Sequence, residues 1–319
     1  MRNIFIDGRA GTTGLRLEER LRARCDIALL TLPENLRKDP AARAEKLNEA
    51  DAAILCLPEE AAREAAALVR NPATVVIDAS TAHRTAPGWA YGFPELGASF
   101  CENIQRSKRI AVPGCHATGF VALVRPLTEA GIVAHDALLH CTSITGYTGG
   151  GKALIAAYEA ESRAEGDALH IPRQYAFGQA HKHLPEMAAY AGLEAPPVFC
   201  PVVGDFPRGI ELTVLLHRAQ VGASRGDILD CYRAAYQNAA LIKVFPGISG
   251  MPPLSCHDAL HLTVAGNDER LLLVARLDNL GKGASGAAVQ CLNLAMGIKE
   301  TKDWIQCTIN NVQCTIGYA

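Results

Sequence analysis

Of the eleven cysteines in this chain, Cys115 has the most distinctive setting, Val112-Pro113-Gly114-Cys115-His116-Ala117-Thr118-Gly119. A short apolar strand ends at Val112, Pro-Gly turns the chain, and Phe120–Ala130 continues with helical apolar periodicity. This order predicts a thiol at a helix N-terminus, where the positive end of the helix dipole lowers its pKa. Turn residues on one side and polar Thr118 on the other predict exposure. Cys56, Cys141 and Cys291 instead sit inside apolar runs and read as small buried hydrophobes. Cys115 could also be such a core residue, but its turn context favours a nucleophile. A thiolate of this kind attacks an activated acyl group to give a thioester, and the step needs a partner to move protons.

His181-Lys182-His183-Leu184-Pro185-Glu186 offers that partner. Pro185 suits the first turn of a helix, which places His183 at its mouth. Glu186, three residues on, can reach back to orient that imidazole or to cap the helix. Loop histidines are commonly just solvated. Here His183 is the first candidate for the acid/base and His181 the second, with Glu186 as support.

Gly8-Arg9-Ala10-Gly11-Thr12-Thr13-Gly14 lies between the first predicted strand and the first helix. Three spaced glycines alone are a weak signal. At the end of a buried strand they open a helix whose free N–H groups favour a phosphate, so a dinucleotide is expected there rather than a plain turn. The second strand ends near Thr31-Leu32 without the acid that usually reads an NAD ribose, although Glu34 follows closely. Arg9, Arg37 and Lys38 could hold a 2′-phosphate, and NADP is the expectation. Arg84, beyond Ser80 at the carboxyl end of a strand, suits a carboxylate or an acyl phosphate. Arg208 and Lys152 are further substrate candidates, each with a plain turn-charge alternative.

These residues need a scaffold. Apolar runs at Asn3–Asp7, Ile27–Leu32, Ala52–Leu57, Thr74–Asp78 and Arg109–Val112 alternate with helical patterns, which predicts a parallel sheet covered on both faces. Beyond about residue 135 the texture changes to Ala137–Thr142, Ile210–His217, Leu260–Ala265 and Leu271–Leu277, spaced for a mixed or antiparallel sheet. The expected fold class is α/β, a Rossmann-type domain over 1–114 plus an α+β domain over 115–284. The helix at about 285–300 is expected to rejoin the first.

Composition narrows the function classes. The chain has 319 residues, 49% hydrophobic and 20% charged, so it can bury a large core without staples. With 31 Lys+Arg against 33 Asp+Glu, the net charge of −2 offers no broad basic field for nucleic acid or anionic lipid. No apolar run approaches a membrane span, and the N-terminus lacks a signal-peptide pattern. The odd cysteine count and the absence of metal-ligand spacing fit a reducing, cytoplasmic setting with no metal.

Taken together the motifs resemble the short (type 2) N-acetyl-gamma-glutamyl-phosphate reductases, relatives of aspartate-semialdehyde dehydrogenase. The resemblance runs along nearly the whole chain. It includes the Phe5–Gly14 segment, Ile54–Pro58, Ile77–Arg84, Tyr91–Glu95, Pro113-Gly114-Cys115, Gly146–Lys152, His181–Glu186 and Asp278–Ala288. It implies NADPH-dependent reduction of N-acetylglutamyl 5-phosphate to the semialdehyde and phosphate, by a homodimer or homotetramer. It also implies that Cys115 is the nucleophile, that His183 is the acid/base, and that Ser80, Asn279, Gly281 and Gly283 lie along the cofactor. Where relatives commonly read Asn-Pro-Gly-Cys-Tyr-Pro-Thr, this chain has Val112, His116 and Ala117, so His116 either shifts the thiol pKa or points to solvent. A related acyl-phosphate reductase acting on an aspartyl or lysine-pathway substrate, and a non-catalytic dinucleotide sensor, are the alternatives.

Overall fold

The computed structural model describes residues 1–164, 166–252 and 258–302. In the first third, β1 (Arg2–Asp7), α1 (Thr12–Arg22), β2 (Ile27–Leu30), α2 (Pro40–Glu49), β3 (Ala52–Leu55), α3 (Glu59–Leu68) and β4 (Val75–Asp78) alternate. β5 (Ala90–Tyr91), α4 (Ala98–Arg106) and β6 (Arg109–Ala111) complete a six-stranded sheet in the order β2-β1-β3-β4-β6-β5, parallel throughout. The central strands are apolar on both faces because helices cover both. Leu17, Leu21 and Ile104 pack on one face against Ile4, Ile6, Ile54 and Ile77. On the other face, Leu47, Ala62 and Ala65 pack against Phe5, Ala53, Leu55 and Val76.

The chain then enters α5 (Cys115–Glu129), β7 (His140–Gly146), α6 (Gly151–Tyr158), β8 (Arg173–Gln174), α7 (Leu184–Ala191), β9 (Val198–Gly204) and β10 (Ile210–His217). It continues through α8 (Arg218–Val221), α9 (Arg225–Ala235), β11 (Ile242–Val244), β12 (Leu260–Gly266), β13 (Arg270–Leu277) and α10 (Gly286–Ala295). The second sheet has seven strands in the order β11-β12-β13-β10-β7-β9-β8. It is mixed: β7 runs parallel to β9 but antiparallel to β10. α5 is apolar nearly all round and buried, with Phe120 to Val124 and Leu127 against Leu212, Val214 and Leu262. A Cβ on Gly119 would meet the Leu212 and Ala275 side chains at 3.5 Å, an ordinary contact, so this helix position faces the sheet's side chains directly.

The predicted strand Ala137–Thr142 is displaced to His140–Gly146, because the Ala134–Ala137 turn occupies its start. β5, β9, α4 and α9 have no counterpart in the sequence reading. β5 has only two residues, and β9 carries Pro201 and Gly204, which weaken a strand signal. After β13 the chain returns, and Ala287, Ala288, Val289 and Leu292 of α10 bury against the first sheet.

Two buried ion pairs tie the sheets together. Arg20 of α1 grips Asp258, just before β12, through two bonds of 2.9 and 2.7 Å. Lys282, 1% exposed, donates to both oxygens of Glu95 at 2.7 and 2.8 Å. Removing one partner of such a pair leaves a buried uncompensated charge, so these contacts fix the relation between sheets.

Candidate active site

The glycine loop follows β1 at the carboxyl edge of the first sheet, where the strand order reverses between β1 and β3. Gly8 has φ +84°, and a Cβ there would fall 2.3 Å from the Cys56 carbonyl oxygen. A Cβ on Gly14 would lie 2.5 Å from the Gly8 oxygen and 2.8 Å from the Arg9 Cα. Only glycine fits either place, and the tight loop delivers the N-terminus of α1 to the crevice. The Thr12 hydroxyl in its first turn is buried with no hydrogen-bond partner among the described residues. A cradle of this shape with an orphaned hydroxyl fits a nucleotide phosphate.

Next to it lies a cavity of about 620 Å³, lined by Gly8, Arg9, Thr31, Glu34, Arg37, Lys38 and Arg43 among others. The cations expected for a 2′-phosphate therefore do line one cavity, but most are paired. Arg9 holds Glu18 at 3.1 Å, and Arg37 pairs with Glu34. Arg43, which the sequence reading missed, binds the buried Asp7 at 2.8 Å. Its position one helix away from the loop gave no signal in sequence.

At the opposite end of the same sheet edge, Gly114 caps α5 and Cys115 is its first residue. His183 is 4% exposed and directly precedes α7. A Cβ on Gly114 would lie 2.4 Å from His183 Nε2 and 2.4 Å from Arg84 Nη1. Glycine before the cysteine therefore lets an imidazole and a guanidinium close on the helix start. One donor atom each of Cys115, His116 and His183 lies within 4.8 Å of the others. His181 stands behind, its Nδ1 accepting the His183 backbone N–H at 3.2 Å. The loop that carries both histidines holds two non-glycine residues at positive φ, Ala176 and Gln179. Gln179 is clamped on both backbone groups of Phe199.

Glu186 does not orient His183, contrary to expectation. Its Oε1 accepts from the Gly114 N–H at 2.8 Å and from the Tyr91 hydroxyl at 2.8 Å, and its Oε2 accepts from Arg84 at 3.2 Å. The side chain projects from the first turn of α7 toward α5, away from its own N-terminal residue. Tyr91 stacks on Tyr190 at 3.5 Å, walling this contact off from solvent. His183 Nδ1 is left buried without a hydrogen-bond partner among the described residues.

The electrostatics also depart from expectation. Burial raises the Cys115 thiol above its ordinary value, outweighing Arg84 and the His116 N–H, which act to lower it. The dipole argument fails here because desolvation of the charged form is the larger effect. Burial likewise holds His183 well below the usual histidine value, with Arg84 next in effect. His116 is lowered to about 3 and His181 to about 4, again mainly by burial. Burial therefore disfavours the protonated form of all three imidazoles.

His116 does not point to solvent. It is 3% exposed, with Nδ1 on the Ser143 hydroxyl at 2.8 Å and Nε2 on the Tyr175 hydroxyl at 3.0 Å.

The remaining expected residues divide. Arg84 stands at the thiol but is held by Glu186 and the Val112 carbonyl. Arg208 is not a free anion holder, since its fork engages the buried Asp278 at 2.5 Å. Lys152 instead lines a cleft of about 640 Å³ with Thr12, Arg16 and Leu280. Ser80 is turned to Asp78 at 2.9 Å, and the Asn279 amide bridges Gly209 and Thr148, so both brace loops. Gly281 and Gly283 lie in one wide turn, Gly281–Ser285. A Cβ on Gly283 would stand 2.8 Å from the Cys115 Cβ, so that glycine makes room for the thiol residue.

A nucleotide cradle and a half-buried Cys115 beside the buried His183 lie along one edge of the first sheet in this two-sheet fold, the thiol less exposed than its turn context predicts. Residues 8–104 match the family described as semialdehyde dehydrogenase, NAD binding domain, and residues 115–279 match semialdehyde dehydrogenase, dimerisation domain. The cofactor class is therefore a nicotinamide dinucleotide. A solved aspartate semialdehyde dehydrogenase II of Vibrio cholerae shares the fold, with a TM-score of 0.70 at 18% identity, covering 93% of this chain and 99% of that one. N-acetyl-gamma-glutamyl-phosphate reductase 2 of Pseudomonas putida is 45% identical over 305 residues, 92% of this chain and 96% of that protein. The Burkholderia ambifaria N-acetyl-gamma-glutamyl-phosphate reductase is 45% identical over 306 residues, with the same coverage. The chain belongs to the N-acetyl-gamma-glutamyl-phosphate reductase family within the semialdehyde dehydrogenases.

Proposed function

We propose that this chain reduces N-acetyl-L-glutamyl 5-phosphate to N-acetyl-L-glutamate 5-semialdehyde and phosphate, with NADPH, in arginine biosynthesis. The observation that carries the reading is the convergence of Cys115 and His183 at the N-terminus of α5. Neutral His183 takes the thiol proton as Cys115 sulfur attacks the acyl carbonyl, and phosphate leaves to give a thioester. When bound, the nicotinamide supplies hydride to that carbonyl. Protonated His183 then returns its proton to the oxygen, and the thiohemiacetal collapses to aldehyde and free thiol. The Gly114 N–H is taken by Glu186, which fixes the start of α5, and the N–H groups that follow it in the first turn would be the donors to the developing oxyanion. Arg84 supplies positive charge for the acyl phosphate.

The glycine loop and Thr12 would hold the pyrophosphate. Lys38 is exposed, with no acid paired to it among the described residues, and would serve a 2′-phosphate, which favours NADP over NAD. We assign residues 1–114 with 285–300 to nucleotide binding and 115–284 to catalysis and dimerisation. The packing of α10 on the first sheet supports that division. Ile144, Val198 and Leu215 lie exposed on adjacent strands of the second sheet, which supports a homodimer through its outer face. No helix among the described residues is long and apolar enough to cross a membrane, consistent with a cytoplasmic enzyme.

The deciding assay runs in reverse. Oxidation of N-acetylglutamate semialdehyde should need NADP and phosphate together. Equal efficiency with aspartate semialdehyde would overturn the substrate assignment in favour of the aspartyl-phosphate reading.

A further inference from the structure

We propose that Cys115, His116 and His183 form a binding site for a soft divalent cation, Zn²⁺ above all, whose occupation switches the enzyme off. The three donors come from two elements, α5 and the residue preceding α7, and lie within 4.8 Å of one another. Zinc bonds of about 2.0–2.1 Å to nitrogen and 2.3 Å to sulfur put tetrahedral donors about 3.3–3.6 Å apart. The cluster therefore needs to contract by about 1 Å at its widest.

The donor set is two imidazoles and a thiol with no carboxylate. That chemistry selects Zn²⁺ and its soft relatives over Mg²⁺ or Ca²⁺. Glu186, in the first turn of α7, has both oxygens committed to Gly114, Tyr91 and Arg84.

A second observation points to the same ligand. The His183 ring is 4% exposed, and its Nδ1 is buried with no hydrogen-bond partner among the described residues. Buried nitrogens without partners are uncommon, and coordination of the cation through Nδ1 would resolve it. Each ring nitrogen of His116 meets a hydroxyl, Nδ1 that of Ser143 and Nε2 that of Tyr175. One of these nitrogens would release its hydroxyl to take the metal, while the other kept Ser143 or Tyr175 and fixed the ring. Three protein donors leave a fourth position for solvent, as in open zinc sites.

On binding, the Cys115 thiol gives up its proton to solvent and the S–H bond is replaced by S–Zn. The two imidazoles bind as neutral donors, so one proton is released per metal. The sulfur lone pair that attacks the acyl carbonyl is then engaged. Inhibition rests on the proposed role of Cys115, whereas metal binding does not.

The test uses the full chain, reduced and metal-free. Titration with Co²⁺ should give a thiolate-to-cobalt charge-transfer band saturating at one equivalent, displaced by Zn²⁺. Zn²⁺ should protect Cys115 from iodoacetamide and abolish turnover, with recovery on adding EDTA. Cys115→Ser, close to isosteric, should lose the band. His116→Asn keeps a hydrogen-bonding side chain but is a poor ligand, and should weaken Co²⁺ binding at least about 30-fold. No charge-transfer band in the wild type, or unchanged affinity in His116→Asn, would overturn the site. A wrong substrate assignment would leave the cobalt titration intact, so the two proposals fail separately.

Discussion

The backbone N–H of Gly114 donates to a carboxylate oxygen of Glu186 at 2.8 Å, fastening the start of α5 to the first turn of α7. The same carboxylate holds Tyr91 and Arg84, so one buried charge sets the position of the helix that carries Cys115, an aromatic wall and the Arg84 guanidinium. Glu186→Ala should cost about 3–5 kcal/mol in stability, because Arg84 stays buried without its partner. Glu186→Gln keeps the shape and should fold, with kcat reduced more than KM is raised. Unchanged kcat in the Gln variant would show that this tie has no part in turnover.

Cys115→Ser should keep cofactor binding and lose nearly all turnover, since a serine hydroxyl is far less acidic than the thiol. In the wild-type free enzyme desolvation raises the half-buried thiol, so alkylation of Cys115 by iodoacetamide should still be accelerating above pH 8. Peptide mapping at several pH values measures this. A rate already level at pH 7 would mean that the helix N-terminus outweighs burial after all.

His183→Asn should lower turnover about 10²–10⁴-fold, the usual span for a general acid/base. His181→Asn should do less, because His181 lies behind His183 and contacts its backbone rather than the thiol. Reversed severity would exchange their roles.

Gly283→Ala introduces a Cβ at 2.8 Å from the Cys115 Cβ. The turn or the thiol residue must move by several tenths of an ångström. Catalysis depends on placement at that scale, so a loss of about 10²-fold in kcat is expected with the fold intact by circular dichroism. Wild-type kcat would show that the turn can yield without cost.

Acid should destabilise the protein through its buried histidines. The folded values of His116 and His183 lie below the unfolded value of about 6.5. Between those values the unfolded chain binds more protons, so stability is full above about pH 6.5 and falls as pH drops toward about 3 for His116. The slope is at most about 1.4 kcal/mol per pH unit for each histidine. Urea midpoints at pH 7, 6 and 5 measure it, and His116→Asn should flatten the decline. Equal midpoints across that range would contradict the burial of these rings as neutral species.

The sequence by itself determined the parallel sheet, because strands buried on both faces must be continuously apolar and their helices amphipathic. It determined the glycine loop too, since positive φ at Gly8 and backbone crowding at Gly14 exclude other residues, and it placed Cys115 at a helix start from the Pro-Gly turn alone. These are local constraints, and local spacing records them. Tertiary structure decided which groups met. Glu186 had a carboxylate's freedom to turn either way, and only the packing of α7 on α5 sent it to Gly114 rather than to His183. Arg208 read as a free cation until Asp278, seventy residues on, came to lie beside it. The thiol pKa was settled by the same means. A helix dipole is a property of one segment, but desolvation is the sum of everything packed around the sulfur, and no single segment carries it.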